Sequence, residues 1–239
     1  MSSVTKDSHT LEQIAVTPSL VRAWAAANAN SFIPPSDKTR HSFCYAFHPK
    51  GFTKAVDDVR CERYVKALED QNMHFFLLRD TVTSEYVGCT RWLIHPHPEP
   101  FDMDKEIATA HAECRGNDDL DGGFSWETIE MLRIAQAKAK AQFIGDRAYV
   151  YLWILGTVEW AQGKGVGKFA LRWGMDKARE LGVPVWLEST EQAVGFYESQ
   201  GFRQLAELDY DARRTGFHRK AAFTAMIWEP EWETQAKVA

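Results

Sequence analysis

The sequence predicts an α/β chain of the α+β kind, a mixed sheet with helices packed against it. Three observations carry that prediction. Tyr149 to Leu155 is wholly apolar or aromatic, as a strand buried on both faces requires. It leads through Gln162-Gly163-Lys164-Gly165-Val166-Gly167-Lys168 into a segment where Val166, Phe169, Ala170, Trp173, Gly174, Ala178 and Leu181 recur at helical spacing. Finally, Met73–Leu78 with Tyr86–Ile94, and Phe202–Tyr210 with Ala221–Trp228, are pairs of strand-like runs, each divided by a polar turn as hairpins are. With 239 residues, 45% of them hydrophobic, the chain can bury a full core, and its length suits one large domain or a domain with an insertion.

Taken in order, residues 1 to 9 are polar and read as a frayed end, and Leu11–Val16 alternates loosely as a first strand would. Thr17-Pro18 supplies an N-cap and a proline at the first helical position, opening a helix through Leu20, Val21, Trp24 and Ala27 that ends near Asn30-Ser31. Phe32–Thr53, with Pro34-Pro35 and His48-Pro49-Lys50-Gly51, reads as a long loop. Val56, Val59, Tyr64 and Leu68 mark a second helix, with Asp57-Asp58 placed favourably near its start. After the first hairpin comes an acidic insertion, residues 95–124, with eight acids against Lys105 and Arg115. A solvated surface loop is its plain reading, and an acidic lid attracting a cationic substrate is the alternative. Ser125 then caps a helix through Ile129, Leu132, Ala135, Ala139 and Phe143, ended by Gly145-Asp146.

The glycine loop is the part that speaks of chemistry. Amides without side chains around them can converge on an anion, and a helix N-terminus adds partial positive charge, so a phosphate-bearing ligand is the natural partner. A Walker loop needs four residues between its first glycine and the Gly-Lys pair, then a hydroxyl; Gly163 to Gly167-Lys168 leaves three, and Phe169 follows. A dinucleotide fingerprint needs a glycine at its sixth position, where counting from Gly163 places Lys168. Neither fits. What fits is Q/R-x-x-G-x-G/A, matched by Gln162, Gly165 and Gly167.

That loop resembles the pyrophosphate loop of the GNAT acyltransferase superfamily. A second stretch agrees in order and spacing: the strand Val183–Glu188, then Ser189-Thr190, then Ala193-Val194-Gly195-Phe196-Tyr197-Glu198 and the stop Gly201-Phe202, which is similar to the other half of the acetyl-CoA site of these proteins. Trp173-Gly174-Met175 and Leu187-Glu188-Ser189-Thr190, with a helix just before the central strand, further resemble a group of fungal GNAT proteins. The resemblance covers residues 149–202 and is compatible with the rest.

It implies a mixed, mostly antiparallel sheet, splayed at its centre and flanked by helices, in a single domain spanning 1–239. It implies acetyl-CoA as co-substrate, no metal, and acetyl transfer to a primary amine by direct attack in a ternary complex, with Phe32–Thr53 as the place to look for acceptor contacts. Backbone groups of Leu155 and Thr157 would hold the pantetheine arm, and the loop from Gln162 through Gly163, Lys164, Gly165, Val166, Gly167 and Lys168 would bind the pyrophosphate. Each lysine is equally an ordinary solvated side chain. A strand amide near Leu155 would polarise the carbonyl. Tyr197 is the family-matched general acid, against its plain reading as a core tyrosine.

The base is harder to place. Many relatives carry an acidic or other polar residue in the middle of the central strand, where this chain has Tyr151-Leu152-Trp153-Ile154. Glu188 is the best remaining carboxylate and Glu159 the next, either acting through water or serving as an ordinary paired carboxylate. The departure also admits an acceptor that arrives partly neutral, or a chain that has lost catalysis. Trp153 and Trp186, on adjacent strands, would suit a flat or apolar amine if they face the cleft, and are otherwise core.

A small-molecule amine is therefore the expected acceptor, with a protein amino-group acetyltransferase and a non-catalytic acyl-CoA-binding module as the alternatives. Thirty-three acids against 28 bases give a formal charge of -5, so no broad basic face offers itself to nucleic acid. The first ten residues lack an apolar core of the signal-peptide kind and no run is long enough to span a bilayer, so no membrane partner is expected. Four cysteines without a close pair fit a reducing, cytoplasmic compartment and no zinc knuckle; His111 and Cys114 alone do not make a metal site. None lies in the matched motifs, which disfavours a covalent acyl-enzyme. A monomer or homodimer is expected.

Overall fold

The computed structural model describes residues 3–6, 8–115 and 123–230. Its sheet has eight strands in the order β1-β2-β3-β4-β5-β6-β8-β7. The strands are β1 (Ser3–Lys6), β2 (His9–Gln13), β3 (Met73–Asp80), β4 (Tyr86–His95), β5 (Tyr149–Thr157), β6 (Val185–Thr190), β7 (Arg203–Glu207) and β8 (Phe223–Trp228). Among the described strands only the β5–β6 pairing is parallel; the helix Val166–Leu181 makes the crossover that a parallel pair requires. The predicted mixed, mostly antiparallel sheet is thus the observed one.

Two expectations are corrected. Residues 3–6, read as a frayed end, pair antiparallel with β2 from Ser3↔Glu12 to Lys6↔His9 and form the sheet edge. The acidic insertion contains a helix: α4 (Met103–Arg115) packs on α5 (Trp126–Phe143), burying Ala110 and Cys114. Asp118, Asp119 and Asp121 of that insertion lie outside the described residues.

Strand alternation sorts the helices onto the two faces. Phe76 and Leu78 of β3, Trp92 of β4 and Val150 and Leu152 of β5 meet Val166, Ala170, Leu171 and Ala178 of α6 (Val166–Leu181). Phe75 and Leu77 point the other way, into Val21, Trp24 and Ala25 of α1 (Pro18–Phe32) and Cys61 of α3 (Lys54–Ala67). Further along that second face, Tyr149, Trp186 and Ala225 pack with Ala135 and Ala139 of α5. The long loop after α1 holds one helical turn, α2 (Cys44–Phe47), and α7 (Val194–Ser199) follows β6.

The centre of the sheet is where function becomes possible. β5 and β6 pair only over Val150–Leu152 and Val185–Leu187. Beyond that, β6 continues along β8 while β5 continues along β4, so the two strands part. A bulge opposite Arg91 and Trp92, which skips Trp153 in the β4 register, bends β5 at that point. Backbone groups of 153–157 that point away from β4 are left without a strand partner, the kind of vacancy a ligand can fill.

Candidate active site

Two cavities meet in this split. The larger, about 660 Å³, runs along the glycine loop. The smaller, about 380 Å³, lies among aromatic side chains on the α1, α3 and α5 face. Phe32, Phe43, Leu155, Thr190, Ala193 and Tyr197 wall both, so any group passing from one to the other crosses at these six residues.

The loop-side cavity is built by backbone. Gly163 and Gly165 have φ of 72° and 84°, the left-handed region that only glycine enters without cost, and Gly165 caps α6 in that conformation. The first-turn amides of α6, at Val166, Gly167 and Lys168, have no intrahelical acceptors and border the cavity. Gln162 donates from Nε2 to the Thr157 carbonyl at 3.1 Å, which ties the loop to the end of β5. Leu155 and Thr157 also line this cavity. Lys164 does not; its ammonium sits 5.3 Å from the ring centre of exposed Trp160. The α1–α2 loop closes the other side with Ser31, Pro34, Asp37, His41 and Ser42, and Ser36 donates 2.6 Å to Glu159 Oε1 at the rim. Glu159 is therefore spent at this rim and does not reach the aromatic cavity.

The aromatic cavity gathers Phe43, Phe47, Phe52, Tyr64, Trp153 and Phe223 around Glu188. Glu188 stands just past the point where β5 leaves β6. Its Oε2 accepts from Tyr151 Oη at 2.6 Å and from Gln136 Nε2 of α5 at 3.3 Å, and its Oε1 accepts from Trp186 Nε1 at 2.7 Å. Burial pushes the carboxyl's pKa up, and these three donors offset part of that rise. Tyr197 is buried between Phe196 and Phe202, and burial raises its phenol, so it stays protonated through neutral pH. Among the described residues no side chain hydrogen-bonds its hydroxyl.

Of the two tryptophans, Trp153 borders the aromatic cavity and Trp186 does not. Trp186 is 1% exposed, lying in the closed stretch where β5 and β6 still pair and covered by Phe143 of α5. Its expected contact with the acceptor is corrected accordingly: it reaches the site only through Glu188.

Sequence reasoning missed His48, Arg60, Arg133 and Gln136, all on the aromatic wall. For α5 a signal existed: Ile129, Leu132, Arg133 and Gln136 share one helical face, and two polar residues interrupt its apolar run. His48 donates from Nδ1 to the Gly123 carbonyl at 3.3 Å, leaving Nε2 as an acceptor. Burial, then the Arg60 charge, pushes its pKa down to about 4. Between about pH 6.5 and about 4 the unfolded chain therefore takes a proton at His48 that the folded chain refuses. Stability from this group is complete above that window and falls with pH through it. Thermal melts across the window should show the decline, and His48→Gln should flatten it.

A sheet split beside the one parallel pair among its described strands, with a glycine loop and helix N-terminus at the split, points to the acyltransferases as a class. The comparisons with known proteins agree. The chain matches the acetyltransferase (GNAT) family over residues 41–202 and belongs to that family. A curated relative, the probable acyltransferase SID5 of Ajellomyces capsulatus, is 41% identical over 44 residues; the match spans 18% of this chain and about a third, 32%, of that relative's length. Among solved structures, the Drosophila melanogaster polyamine N-acetyltransferase superposes with a TM-score of 0.63 at 14% identity, over 93% of this chain and 100% of its own. The mosquito arylalkylamine N-acetyltransferase-like 5b gives 0.60 at 13% identity, over 93% and 100%. At these identities the structures speak for the fold alone. Among the described residues no group of His, Cys, Asp and Glu is placed to hold a metal, and no helix is long and apolar enough to cross a membrane.

Proposed function

We propose that the protein transfers acetyl from acetyl-CoA to a small-molecule primary amine by direct attack. The observation that carries this reading is the meeting of the two cavities at Leu155 and Tyr197. The loop-side cavity suits the cofactor: its unsatisfied amides suit a pyrophosphate, and the open backbone of β5 suits a pantetheine amide. The thioester would then lie at the shared wall, with its carbonyl oxygen near a free β5 amide. The acceptor would enter the aromatic cavity, whose volume of about 380 Å³ suits a small molecule. Solved relatives named for polyamine, agmatine and arylalkylamine acetylation share the fold and support an amine acceptor.

In this reading the amine nitrogen attacks the thioester carbon, the C–S bond breaks, and the departing sulfur takes a proton from Tyr197. The amine loses its proton through water to Glu188, among the described residues the only carboxylate on the aromatic wall. Trp153 forms part of the acceptor wall, and the whole described chain serves one catalytic unit. Four free, buried thiols fit a reducing compartment such as the cytoplasm.

The pH–rate profile tests the base. Because burial raises Glu188, the acidic limb of kcat/KM should lie above the ordinary carboxylate range, around pH 4.3. Glu188→Gln should remove that limb and lower kcat about a hundredfold. Tyr197→Phe should lower kcat by a similar factor with acetyl-CoA affinity unchanged. A Glu188→Gln enzyme of normal rate and profile would remove the carboxylate from the mechanism.

A further inference from the structure

Two guanidinium groups line the aromatic cavity, and a third stands behind its wall. Arg60, of α3, lines it and is 5% exposed; its Nη1 donates to Asp57 at 2.5 Å, its Nε to Tyr64 Oη at 3.3 Å and its Nη2 to Asn28 Oδ1, and it stacks 3.9 Å from the Phe52 ring centre. Arg133, of α5, lines it too and pairs with Glu113 at 2.8 Å. Arg91, of β4, stands behind the wall, 3.9 Å from the ring centre of Trp153 and 5.1 Å from that of Phe75, with Nε directed at Met73 Sδ. Among the described residues no carboxylate comes within ion-pair distance of Arg91.

These positive charges are not matched inside the cavity. The partner acids of the two lining arginines point outward: Asp57 and Glu113 keep 32% and 50% of their side chains exposed, against 6% for Arg60. Water screens the acids more than it screens the guanidiniums, so the potential felt within is positive. The pKa of Arg91 is lowered to about 10 by burial, with Arg133 adding to the drop, and Arg60 and Arg63 both help to keep His48 uncharged. Among the described residues the single acid facing the cavity, Glu188, is already occupied by three donors. A polycation would meet guanidiniums here with no free acid to pair with. Two nearby acids do not reverse this, since Glu113 of α4 is engaged with Arg133 and Glu130 of α5 with His111.

We propose that the acceptor amine also carries an anionic group, a carboxylate in the simplest case, which Arg133 holds, with the buried charge of Arg60 adding to the attraction, while the amine lies towards Glu188. Arg133 precedes Gln136, the α5 residue that donates to Glu188, by three positions, or about 4.5 Å along the helix axis. One small molecule can therefore touch the guanidinium and approach the Glu188 carboxylate together. Arg133 is the more accessible of the two arginines, with 30% of its side chain exposed against 6% for Arg60.

This inference rests on the acetyl-transfer reading of the cavity, and its test separates the two. Acetylation is measured with matched acceptors: phenylalanine against phenethylamine, where the acid adjoins the amine, and lysine against cadaverine, where a five-carbon chain separates them. The carboxylated member of at least one pair should have the higher kcat/KM by about tenfold or more. Arg133→Gln should bring that ratio towards one by raising KM with kcat little changed, and Arg133→Lys should keep most of the preference. The inference is overturned if the decarboxylated member wins in every pair, or if the preference survives Arg133→Gln. If nothing is acetylated, titration calorimetry of the CoA-saturated protein with the same compounds decides. Acid-selective, Arg133-dependent binding would uphold the anionic ligand and discard catalysis, whereas no binding by either acid would overturn the inference. Should Arg133→Gln fail to fold, the wild-type ratio alone decides.

Discussion

Gly165→Asp should weaken acetyl-CoA binding at least about a hundredfold, a loss of about 2.7 kcal/mol by titration calorimetry. The residue sits at φ 84° as the N-cap of α6, beside the first-turn amides of Val166, Gly167 and Lys168. Aspartate tolerates that conformation at modest cost, but it places a carboxylate where the amides would receive phosphate, and it supplies them with an internal acceptor. Gly165→Ala separates the two effects. A Cβ there meets nothing within 4 Å, so alanine adds only backbone strain of about 1–2 kcal/mol and should cost little affinity. Undiminished binding by a folded Gly165→Asp protein would mean that the loop is a turn and nothing more, and the acetyl-CoA reading would fall with it.

Gly174→Ala should lower the thermal midpoint by about 5–10 °C, which for a chain of this size corresponds to roughly 2–3 kcal/mol. Helix propensity alone argues the reverse, since alanine in a helix interior is favoured over glycine by about 1 kcal/mol. The new methyl carbon, however, would lie 2.2 Å from Cη2 and Cζ3 of Trp92. That indole is fully buried, donates to Thr90 Oγ1 at 3.1 Å and packs beside Trp173, so it has no room to swing away. Overpacking of this kind costs about 1–3 kcal/mol or more. A Gly174→Ala, Trp92→Leu double variant should lose less than the sum of its parts, because the smaller side chain makes room. A raised midpoint for Gly174→Ala alone would mean that α6 does not press on β4 in this way.

The two glycines differ in how far the sequence reveals them. Gly165 is legible because its neighbours in the chain define it: a buried strand before, alternating glycines around, an amphipathic helix after. Gly174 looks like one more small residue on a helical face, and only the approach of a strand eighty residues away explains it. The same contrast runs through the rest of the fold. The hairpins, the central strand and α6 carry strong periodicity and were readable. In α4, Met103, Ile107, Ala110 and Cys114 do recur at helical spacing, but the acids between them suggested a solvated loop. Its burial against α5 gives the helix a reason to form. The four residues of β1 carry no apolar pattern; their order comes from the β2 edge alone.

The candidate site divides along the same line. Leu155 and Thr157, which the family resemblance implied, and the glycine loop, which its own spacing marked, do line the loop-side cavity, though Lys164 turns away to Trp160. Glu188 was chosen by elimination, and the split between β5 and β6 places it on the cavity wall while leaving Trp186, two residues earlier, inside closed sheet.

By itself, the sequence determined where strands, turns and the phosphate-type loop form, because those depend on conformational preferences and periodicities within a few residues of each other. The tertiary structure decided which side chains meet: Arg60 from α3, Arg133 from α5 and Glu188 from β6 come together across more than a hundred residues of chain. Periodicity says which face of an element is buried, but it carries no information about what will be packed against that face. The charge lining the aromatic cavity is set by that packing, and the proposed kind of acceptor depends on it.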